Sequence, residues 1–287
     1  MIAAPELAPL HGLLVAKAIA DALAEDLGLA GDITTNATIP ADATARASIR
    51  TRRPGIVSGV SVAGATFNAL DPAIAFDVRR PDGSAVEPGD VIADVAGNAR
   101  AILTAERVAL NFMGRMSGIA TLTRRYVEAV AGTSATIVDT RKTTPGLRAF
   151  EKYAVRCGGG MNHRVGLFDA VLIKDNHIVA AGGIEKAIAA ARALSGHMVK
   201  IEIEVDTLAQ LEAAMNQGVN AVLLDNMPPD TLKKAVAMVA GRALTEASGG
   251  ISLETARTVA ETGVDLISVG ALTHSAPVLD LGLDFLD

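Results

Sequence analysis

Basic side chains that could bind a multiply charged anion are concentrated in one segment of this chain. Between residues 141 and 174 there are seven arginines and lysines but only two acidic residues, Glu151 and Asp169. The chain as a whole is acidic, with 26 basic and 32 acidic residues. Arginine binds carboxylate and phosphate oxygens through paired N–H groups, and lysine adds a compact point charge. The segment therefore predicts a binding site for a polyanion.

The candidate ligand-binding residues fall where predicted strands end. The cationic candidates are Arg141, Lys142, His163, Arg164 and Lys174. Two carboxylates, Glu204 and Asp225, end later strands and could hold sugar hydroxyls or Mg²⁺, a cation that prefers oxygen ligands. Glycine-containing turns at 248–250 and 269–271 each precede a helical stretch, where backbone N–H groups can hold a phosphate. This set predicts a phosphorylated ligand with a ribose-like middle, and a second, carboxylated reactant.

Short β-branched strands alternate with helical stretches from residue 135 onwards, which predicts β/α units around a parallel sheet. The predicted strands are 135–140, 169–175, 200–205, 221–226, 243–250 and 266–272. Each strand is apolar until its last residue or two and then turns polar. The C-terminal strand ends of a β/α barrel open on one face, where the active site lies. A Rossmann sheet would carry a glycine-rich loop after its first strand, and ATIVDTRKTTPG is not one, so the pattern favours the barrel.

The first third of the chain has a different predicted secondary structure. Helical spacing of apolar residues predicts an amphipathic helix over 9–28. Residues 43–60 indicate strands around a Pro-Gly turn, and Asp-Gly and Pro-Gly turns at 76–100 indicate a β-meander. A long Ala-rich helix is predicted over 104–132, with Thr104 as its N-cap. Asp32 in GDITT is interpreted as a cap or turn residue.

Composition excludes several classes of protein. The 287 residues suit one large domain or two smaller ones. A net charge of −6 and the absence of Trp argue against a nucleic-acid binder. No apolar run reaches the ~18 residues of a membrane span. A single cysteine and an N-terminus without a signal-peptide pattern lead us to expect a cytoplasmic protein. A biotinyl or lipoyl carrier is excluded because no lysine occurs between Lys17 and Lys142.

Several long motifs resemble one known family. They are DTRKTTPGLRAFEKYAV, GGGMNHRVGLFDAVLIKDNHI, TAERVALNFMGRMSGIAT, LLDNM, EASGGI and ISVGALTHS. In type and order they resemble quinolinate phosphoribosyltransferase from about GDITT to LDLGLD, with a conservative Met116 where leucine is usual. The resemblance implies that quinolinate and phosphoribosyl pyrophosphate give nicotinate mononucleotide, pyrophosphate and CO₂, with Mg²⁺ as cofactor.

The resemblance also implies an architecture. The expected fold is that of a type II phosphoribosyltransferase, with an N-terminal α/β sandwich domain over 1–117 and an incomplete α/β barrel over 118–287. The C-terminal tail could return to the N-terminal domain. The family implies a homo-oligomer, a dimer or a hexamer, in which the N-terminal domain of one subunit covers the barrel of another.

Roles for individual residues follow from the resemblance. Quinolinate carboxylates would be held by Arg141, His163, Arg164 and Lys174, with Arg107 entering from the neighbouring subunit. Pyrophosphate or the 2-carboxylate would lie at Lys142, within the segment Thr140, Arg141 and Lys142. Ribose hydroxyls and Mg²⁺, the latter held directly or indirectly, would be bound by Glu204 and Asp225. The 5′-phosphate would be held by Ser248, Gly249, Gly250, Val269, Gly270 and Ala271. The catalytic candidates are Lys142, Lys174, Glu204 and Asp225.

Three other functions are compatible with the residues. Lys174 could be the Schiff-base lysine of a barrel aldolase, although the excess of arginine exceeds what one aldehyde needs. A non-catalytic sensor of phosphoribosyl pyrophosphate could share the fold. A transferase acting on nicotinate would need fewer cations, because nicotinate carries one carboxylate where quinolinate carries two.

Other polar residues have simpler interpretations. Taken alone, Arg107 would be a surface charge. Helical spacing of Glu151, Lys152 and Arg156 suggests a solvated face. A small buried residue is expected at Cys157, and structural roles are expected at His177 and His274. The sequence assigns no role to Arg148 or Glu246.

Overall fold

The computed structural model describes residues 7–286, which divide into two compact units. The first unit contains the residues up to 124, the segment 149–159 and the residues from 275 onwards. The second unit contains 125–148 and 160–274. The helices are α1 (Gly12–Leu27), α2 (Ile33–Thr38), α3 (Val60–Leu70), α4 (Ala99–Ala129), α5 (Arg148–Cys157), α6 (Asp175–Ala181), α7 (Ile184–Leu194), α8 (Leu208–Asn216), α9 (Pro229–Val239), α10 (Leu253–Ala260) and α11 (Ala271–His274).

The strands form three sheets. In chain order they are β1 (Thr44–Thr51), β2 (Gly55–Ile56), β3 (Ala75–Val78), β4 (Ala85–Val86), β5 (Val91–Asn98), β6 (Thr136–Val138), β7 (Val171–Ile173), β8 (Ile201–Val205), β9 (Ala221–Asp225), β10 (Leu244–Ser248), β11 (Leu266–Ser268) and β12 (Leu281–Phe285). The first unit holds an antiparallel sheet in the order β12-β1-β5-β3 and a separate β2-β4 pair. The sequence-based boundary after residue 117 falls inside α4.

The predicted meander at 76–100 is wrong in one respect. Strand β4 does not lie between β3 and β5, which are direct neighbours, but pairs with β2, with Ile56 opposite Ala85. The turn before β4 explains the difference, because the Gly83 N–H donates to the Val57 carbonyl and draws the chain towards β2. Residues from both sheets and from α3 and α4 form the first core, which includes Ile49, Phe67 and Met113.

Helix α4 begins earlier than the sequence predicted. It starts at Ala99, so Thr104 is not its N-cap. The Oδ1 atom of Asn98 accepts from the Ala101 N–H at 3.1 Å and satisfies one of the free donors of the first turn. The Thr104 hydroxyl instead donates to Asp32, which caps α2 through the Thr35 N–H, so the role predicted for Asp32 is confirmed.

Helix α5 is buried rather than solvated. Glu151 and Lys152 are 0 % and 3 % exposed, so the interpretation of this helix as a charged outer face is wrong. Glu151 accepts from Arg115 of α4 at 2.8 Å, which supplies the ionised partner that a buried carboxylate needs. Helical spacing alone could not distinguish a solvated face from one paired with another helix.

The second unit contains a six-stranded sheet in which every pair is parallel, in the order β6-β11-β10-β9-β8-β7. Among the described residues, no ladder joins the outer strands β6 and β7, so the barrel is incomplete. One parallel bridge, from Val138 to Met161, extends the sheet beyond β6. All six predicted strands are present, although the last ends at Ser268 instead of Leu272, and the predicted fold class is confirmed. Within 7–286, no helix is long and apolar enough to span a membrane.

Candidate active site

The polar ends of the six parallel strands meet around one cavity of about 720 Å³ in the second unit. Parallel strands of a β/α barrel all present their carboxyl ends on the same face. The cavity is lined by the predicted residues Thr140, Arg141, Lys142, His163, Arg164, Lys174, Glu204, Asp225, Ser248, Gly249, Gly250, Val269, Gly270 and Ala271. Asn226, Glu246 and His274 line it as well. Arg107 is not among the lining residues; it lies on α4 of the first unit with its side chain 64 % exposed.

Arg141 and Arg164 form the cationic side of the cavity. The Arg141 Nε atom is buried without a hydrogen-bond partner within the described part of the chain. The pKa of Arg164 is lowered mainly by its partial burial and, to a smaller extent, by the positive charge of nearby Arg141. Two guanidinium groups held close together with unused donors can bind an anion with more than one carboxylate.

Lys174 follows β7 and extends the cationic side. Its Nζ lies 2.5 Å from Glu204 Oε2, while its backbone N–H donates to His177 Nδ1 at 2.9 Å. His177 is therefore structural, as the sequence suggested, and fixes the backbone at Lys174. The Lys174 side chain is exposed and ion-paired with Glu204, whereas a Schiff-base lysine is activated by desolvation in an apolar pocket.

Glu204 and Asp225 form the acidic side on the neighbouring strands β8 and β9. Asn226, which the sequence reasoning missed, donates from Nδ2 to Asp225 Oδ2 at 2.6 Å. Asn226 has a φ of +52°, in the left-handed region that asparagine tolerates better than most residues. Its backbone N–H bonds to the Ser248 carbonyl at 2.9 Å, so Asn226 connects the carboxylate to the loop after β10.

The two glycine turns form a third side. Gly249 and Gly250 have φ values of +101° and +59°. A Cβ at Gly249 would lie 2.1 Å from Asn226 Oδ1, so only glycine fits there. Among the described residues, the N–H groups of Gly249, Gly250 and Gly270 take part in none of the turn and loop hydrogen bonds. They are thus available to a phosphate at the start of the following helices.

Lys142 and His274 lie on either side of Gly270. A Cβ there would be 3.0 Å from Lys142 Cδ and 3.3 Å from His274 Nε2. The Thr273 hydroxyl donates to the Lys142 carbonyl at 2.7 Å, which holds the Lys142 backbone against α11. The turn after β11 therefore positions Lys142 beside the proposed phosphate site.

Two buried carboxylates lie beneath the cavity. Glu202 on β8 and Glu246 on β10 lie within 4.8 Å of each other and of a His163 ring nitrogen. Burial, together with the charge of Glu202, raises the pKa of Glu246 from 4.5 to about 7. The alternation in IEIEV could have identified Glu202, because residues two apart on a strand face the same side, here the side of Glu204.

Arg148 and Cys157 have structural roles. Arg148 donates from Nε to the Thr143 hydroxyl and from Nη1 to the Val165 carbonyl, so it braces the loops beside the cavity. Cys157 is buried, as expected, and accepts from the Ser58 hydroxyl at 3.2 Å. Burial raises the pKa of the Cys157 thiol to about 12, so it is not a reactive thiolate.

Fold and cavity together define a type II phosphoribosyltransferase architecture, in which an incomplete barrel carries basic side chains and glycine turns around one cavity. Comparisons with known proteins agree. Residues 32–117 match the N-terminal domain of quinolinate phosphoribosyl transferase, and residues 119–284 match its C-terminal domain. The chain belongs to the quinolinate phosphoribosyl transferase family.

Individual relatives support this assignment. A nicotinate-nucleotide pyrophosphorylase [carboxylating] from Mycobacterium leprae is 48 % identical over 92 % of this chain and 94 % of its own length. A probable enzyme of the same name from Bacillus subtilis is 45 % identical over 91 % of this chain and 89 % of its own. The crystal structure of NadC from Streptococcus pyogenes superposes with a TM-score of 0.93 at 41 % identity, covering 98 % of this chain and all of that one.

Proposed function

We propose that this protein transfers a phosphoribosyl group from phosphoribosyl pyrophosphate to quinolinate, giving nicotinate mononucleotide, pyrophosphate and CO₂. The reaction is the carboxylating nicotinate-nucleotide pyrophosphorylase activity of its relatives, run in the decarboxylating direction, and it belongs to NAD biosynthesis. One observation carries the proposal beyond family membership. The paired arginines lie in the same cavity as the glycine turns, so a dicarboxylate and a phosphate can bind side by side.

Binding the dicarboxylate is the task of Arg141, Arg164 and Lys174. Their donors replace the water that surrounds two adjacent carboxylates, and charge-assisted hydrogen bonds of this kind contribute about 1.5–3 kcal/mol each. His163 lines the same side, and its role is treated below. The phosphoribosyl group would bind with its 5′-phosphate on the two glycine turns and its hydroxyls at Glu204 and Asp225.

Catalysis then depends on positioning and on charge stabilisation. The pyridine nitrogen attacks ribose C1 while the C1–O bond to pyrophosphate breaks, through a state with oxocarbenium character. Lys142 would stabilise the charge on the departing pyrophosphate. The ring nitrogen becomes cationic, so it can accept the electron pair left on C2 when the 2-carboxylate leaves as CO₂. A proton then replaces the carboxylate at C2.

The residues present fit a Mg²⁺ ion that is bound mainly through the substrate. Glu204 and Asp225 offer the oxygen ligands that Mg²⁺ prefers, but each already has a donor, Lys174 at 2.5 Å and Asn226 at 2.6 Å. Two carboxylates are too few for an octahedral shell, which phosphate oxygens and waters would complete. When bound, the ion would reduce the charge on pyrophosphate.

A homo-oligomer, a dimer or hexamer, in which Arg107 completes a neighbouring site remains part of the proposal. It is supported by the exposed side chain of Arg107, which is accessible to a neighbouring subunit. The cytoplasmic location expected from the single cysteine stays a prediction.

The decisive assay compares quinolinate with nicotinate in the presence of phosphoribosyl pyrophosphate and Mg²⁺. We expect pyrophosphate and CO₂ in equal amounts with quinolinate, and neither with nicotinate. Lys174→Ala should lower kcat/KM at least about tenfold, while Lys233→Ala, on the exposed side of α9, serves as the matched control. Product from nicotinate at a comparable rate would contradict the dicarboxylate assignment. Borohydride trapping of a carbonyl substrate on Lys174 would favour the aldolase.

A further inference from the structure

His163 does not present an unused ring nitrogen to a ligand in this structure. Its Nδ1 accepts the Arg164 backbone N–H at 2.7 Å. A nitrogen that accepts a hydrogen bond carries no proton, so the proton of a neutral ring lies on Nε2. That Nε2 lies 3.0 Å from Glu202 Oε2 and 3.5 Å from Glu246 Oε2. Both ring nitrogens thus have partners within the protein.

Glu202 and Glu246 form the buried end of the series of contacts that includes the His163 ring. The Glu246 side chain is 1 % exposed, and its two oxygens, like Glu202 Oε1, have no hydrogen-bond partner in the described part of the chain. A buried ionised carboxylate without partners is costly, whereas a protonated one can donate to a neighbouring carboxylate. Burial and the adjacent Glu202 raise the pKa of Glu246 to about 7, so Glu246 is the glutamate that can hold such a proton.

The other end of the chain of contacts fixes the backbone at Arg164. Asp139 is fully buried, and its Oδ1 accepts the His163 N–H at 2.9 Å while its Oδ2 accepts from Asn162 at 2.7 Å. The His163 ring then accepts the next N–H along the chain, that of Arg164. Arg164 lies between β6 and β7 along the chain and belongs to neither strand. The His163 ring holds its backbone, and the Ala170 carbonyl accepts from its Nη1 at 3.3 Å.

We propose that Glu246, Glu202 and His163 form a buried hydrogen-bonded chain that positions Arg164 for a substrate carboxylate. His163 is thus a positioning residue that acts through Arg164, and not a ligand of the carboxylate as the family resemblance implies. The role assigned to Arg164 rests on the proposed function. A divalent metal at the same three side chains is disfavoured, because an Nε2 that carries a proton has no lone pair to donate.

The tautomer of His163 can be tested without any substrate. In the ligand-free protein labelled with ¹⁵N-histidine, we expect the His163 resonances, assigned by their loss in His163→Gln, to show a neutral ring protonated at Nε2. Addition of diamagnetic Zn²⁺ should leave both ring nitrogens with the ¹⁵N shifts of an uncoordinated ring. A ring protonated at Nδ1, or the ¹⁵N shift of a metal-bound Nε2 on addition of Zn²⁺, would overturn the proposal. This result does not depend on whether the protein is a phosphoribosyltransferase.

Kinetics test whether the chain acts through Arg164. Glu202→Met, which removes the acceptor while keeping the volume, should raise the KM for quinolinate about tenfold, because misplacement of a binding group is costly. The KM for phosphoribosyl pyrophosphate and kcat should change less than about twofold. Glu202→Gln, which retains an acceptor oxygen, should recover most of the loss. The exposed Glu212→Met of α8 is the matched control.

A double variant separates positioning from direct binding. If His163 acts only through this chain, His163→Phe combined with Glu202→Met should raise the KM for quinolinate no more than the larger single change does. A rise with His163→Phe together with none in a folded Glu202→Met would show direct binding by His163 and overturn the proposal. If Glu202→Met does not fold, Glu246→Ala enters the cycle in its place. An inactive parent protein would refute the proposed function. The NMR measurement of the His163 tautomer would still test the hydrogen-bonded chain, because it needs no substrate.

Discussion

At the scale of the residue, the cavity holds two like charges close together. Arg141 and Arg164 are close enough for the charge of one to lower the pKa of the other. Arg141 Nε is also buried without a partner. Both features disfavour the free protein, and both would be relieved by an anion between the two guanidinium groups. Affinity for the anion is thus built into the unliganded arrangement.

Arg164→Ala tests this directly. Loss of a bidentate, charge-assisted contact costs about 1.5–3 kcal/mol, and about 1.4 kcal/mol corresponds to tenfold in affinity. We expect the KM for quinolinate to rise tenfold or more, with less than about a twofold change in the KM for phosphoribosyl pyrophosphate. Steady-state kinetics with each substrate varied in turn measure both values, with the exposed Arg125→Ala as control. Equal losses for the two substrates would contradict the assignment.

Glu246 makes stability depend on pH. Its pKa is raised from 4.5 to about 7 by burial and by Glu202; His163 and Ser268 also face it and lower it. Between these pH values the folded state binds a proton that the unfolded state has lost, so the stability that Glu246 contributes is fully present below about pH 4.5 and is lost as pH rises to about 7. Denaturant unfolding of parent and Glu246→Gln across this range should show the parent losing about 1–3 kcal/mol relative to the variant. A constant difference in unfolding free energy between parent and variant would mean that Glu246 is ionised in the folded protein throughout this pH range.

Gly249 links the loop after β10 to Asp225 through Asn226. In Gly249→Ala the new Cβ would overlap Asn226 Oδ1, which lies 2.1 Å away, and would displace the partner of Asp225. We expect a rise of about tenfold in the KM for phosphoribosyl pyrophosphate and little change for quinolinate. Gly218→Ala, with a φ of +67° and nothing within 4 Å, controls for backbone strain alone. An equal effect of the two substitutions would argue against a specific role for the loop.

At the scale of the element, the long helix α4 depends on glycine where another segment crosses it. A Cβ at Gly118 would lie 2.0 Å from the Pro277 carbonyl oxygen, and one at Gly114 would lie 3.0 Å from the Leu279 carbonyl. The crossing segment leads into β12, which pairs with β1. Small residues in α4 therefore decide whether the C-terminal strand can complete the first sheet.

Gly118→Ala should consequently destabilise the protein although alanine favours helix. Helix propensity would stabilise the variant by about 1 kcal/mol, but overlap with a backbone oxygen costs typically 1–3 kcal/mol and more where the segment cannot move. We expect a net loss of about 2 kcal/mol in the free energy of unfolding, measured by denaturant titration. Gly12→Ala in α1, with nothing within 4 Å, should be neutral or stabilising. A stabilised Gly118→Ala would show that the crossing segment is loosely packed.

The barrel could be predicted from the sequence better than the first unit could. Each barrel strand is short, β-branched and polar at its end, and a parallel sheet follows from that alternation alone. The pairing of β4 with β2, the Asn98 cap and the burial of Glu151 all depend on contacts between distant segments, which local periodicity does not contain. The same limit applies to the site. Strand-end cations could be recognised, but Asn226 and Glu246 gain their roles only from neighbours on other strands.

At the scale of the whole molecule, positive charge is concentrated in one segment of an acidic chain. The chain carries a net charge of −6, yet its basic residues are concentrated between 141 and 174. Because the acidic remainder would repel a polyanionic substrate, the cationic cavity supplies the local attraction that binding needs. Arg107 lies outside this segment, and its proposed contribution is to the cavity of a neighbouring subunit.

Subunit complementation tests that contribution. Arg107→Ala and Lys174→Ala should each be nearly inactive, the first because a neighbour's site loses its cation and the second because its own site does. The two variants are unfolded, mixed in equal amounts and refolded together. A site with both residues intact then forms only where the barrel belongs to an Arg107→Ala chain and the neighbouring Arg107 belongs to a Lys174→Ala chain. Random assembly into closed symmetric oligomers gives that combination at about one site in four. We expect about a quarter of the parental activity, measured as pyrophosphate release, whether the assembly is a dimer or a hexamer.

Refolding each variant alone controls for recovery, and a mixture no more active than either variant would place Arg107 in the site of its own chain or outside any site.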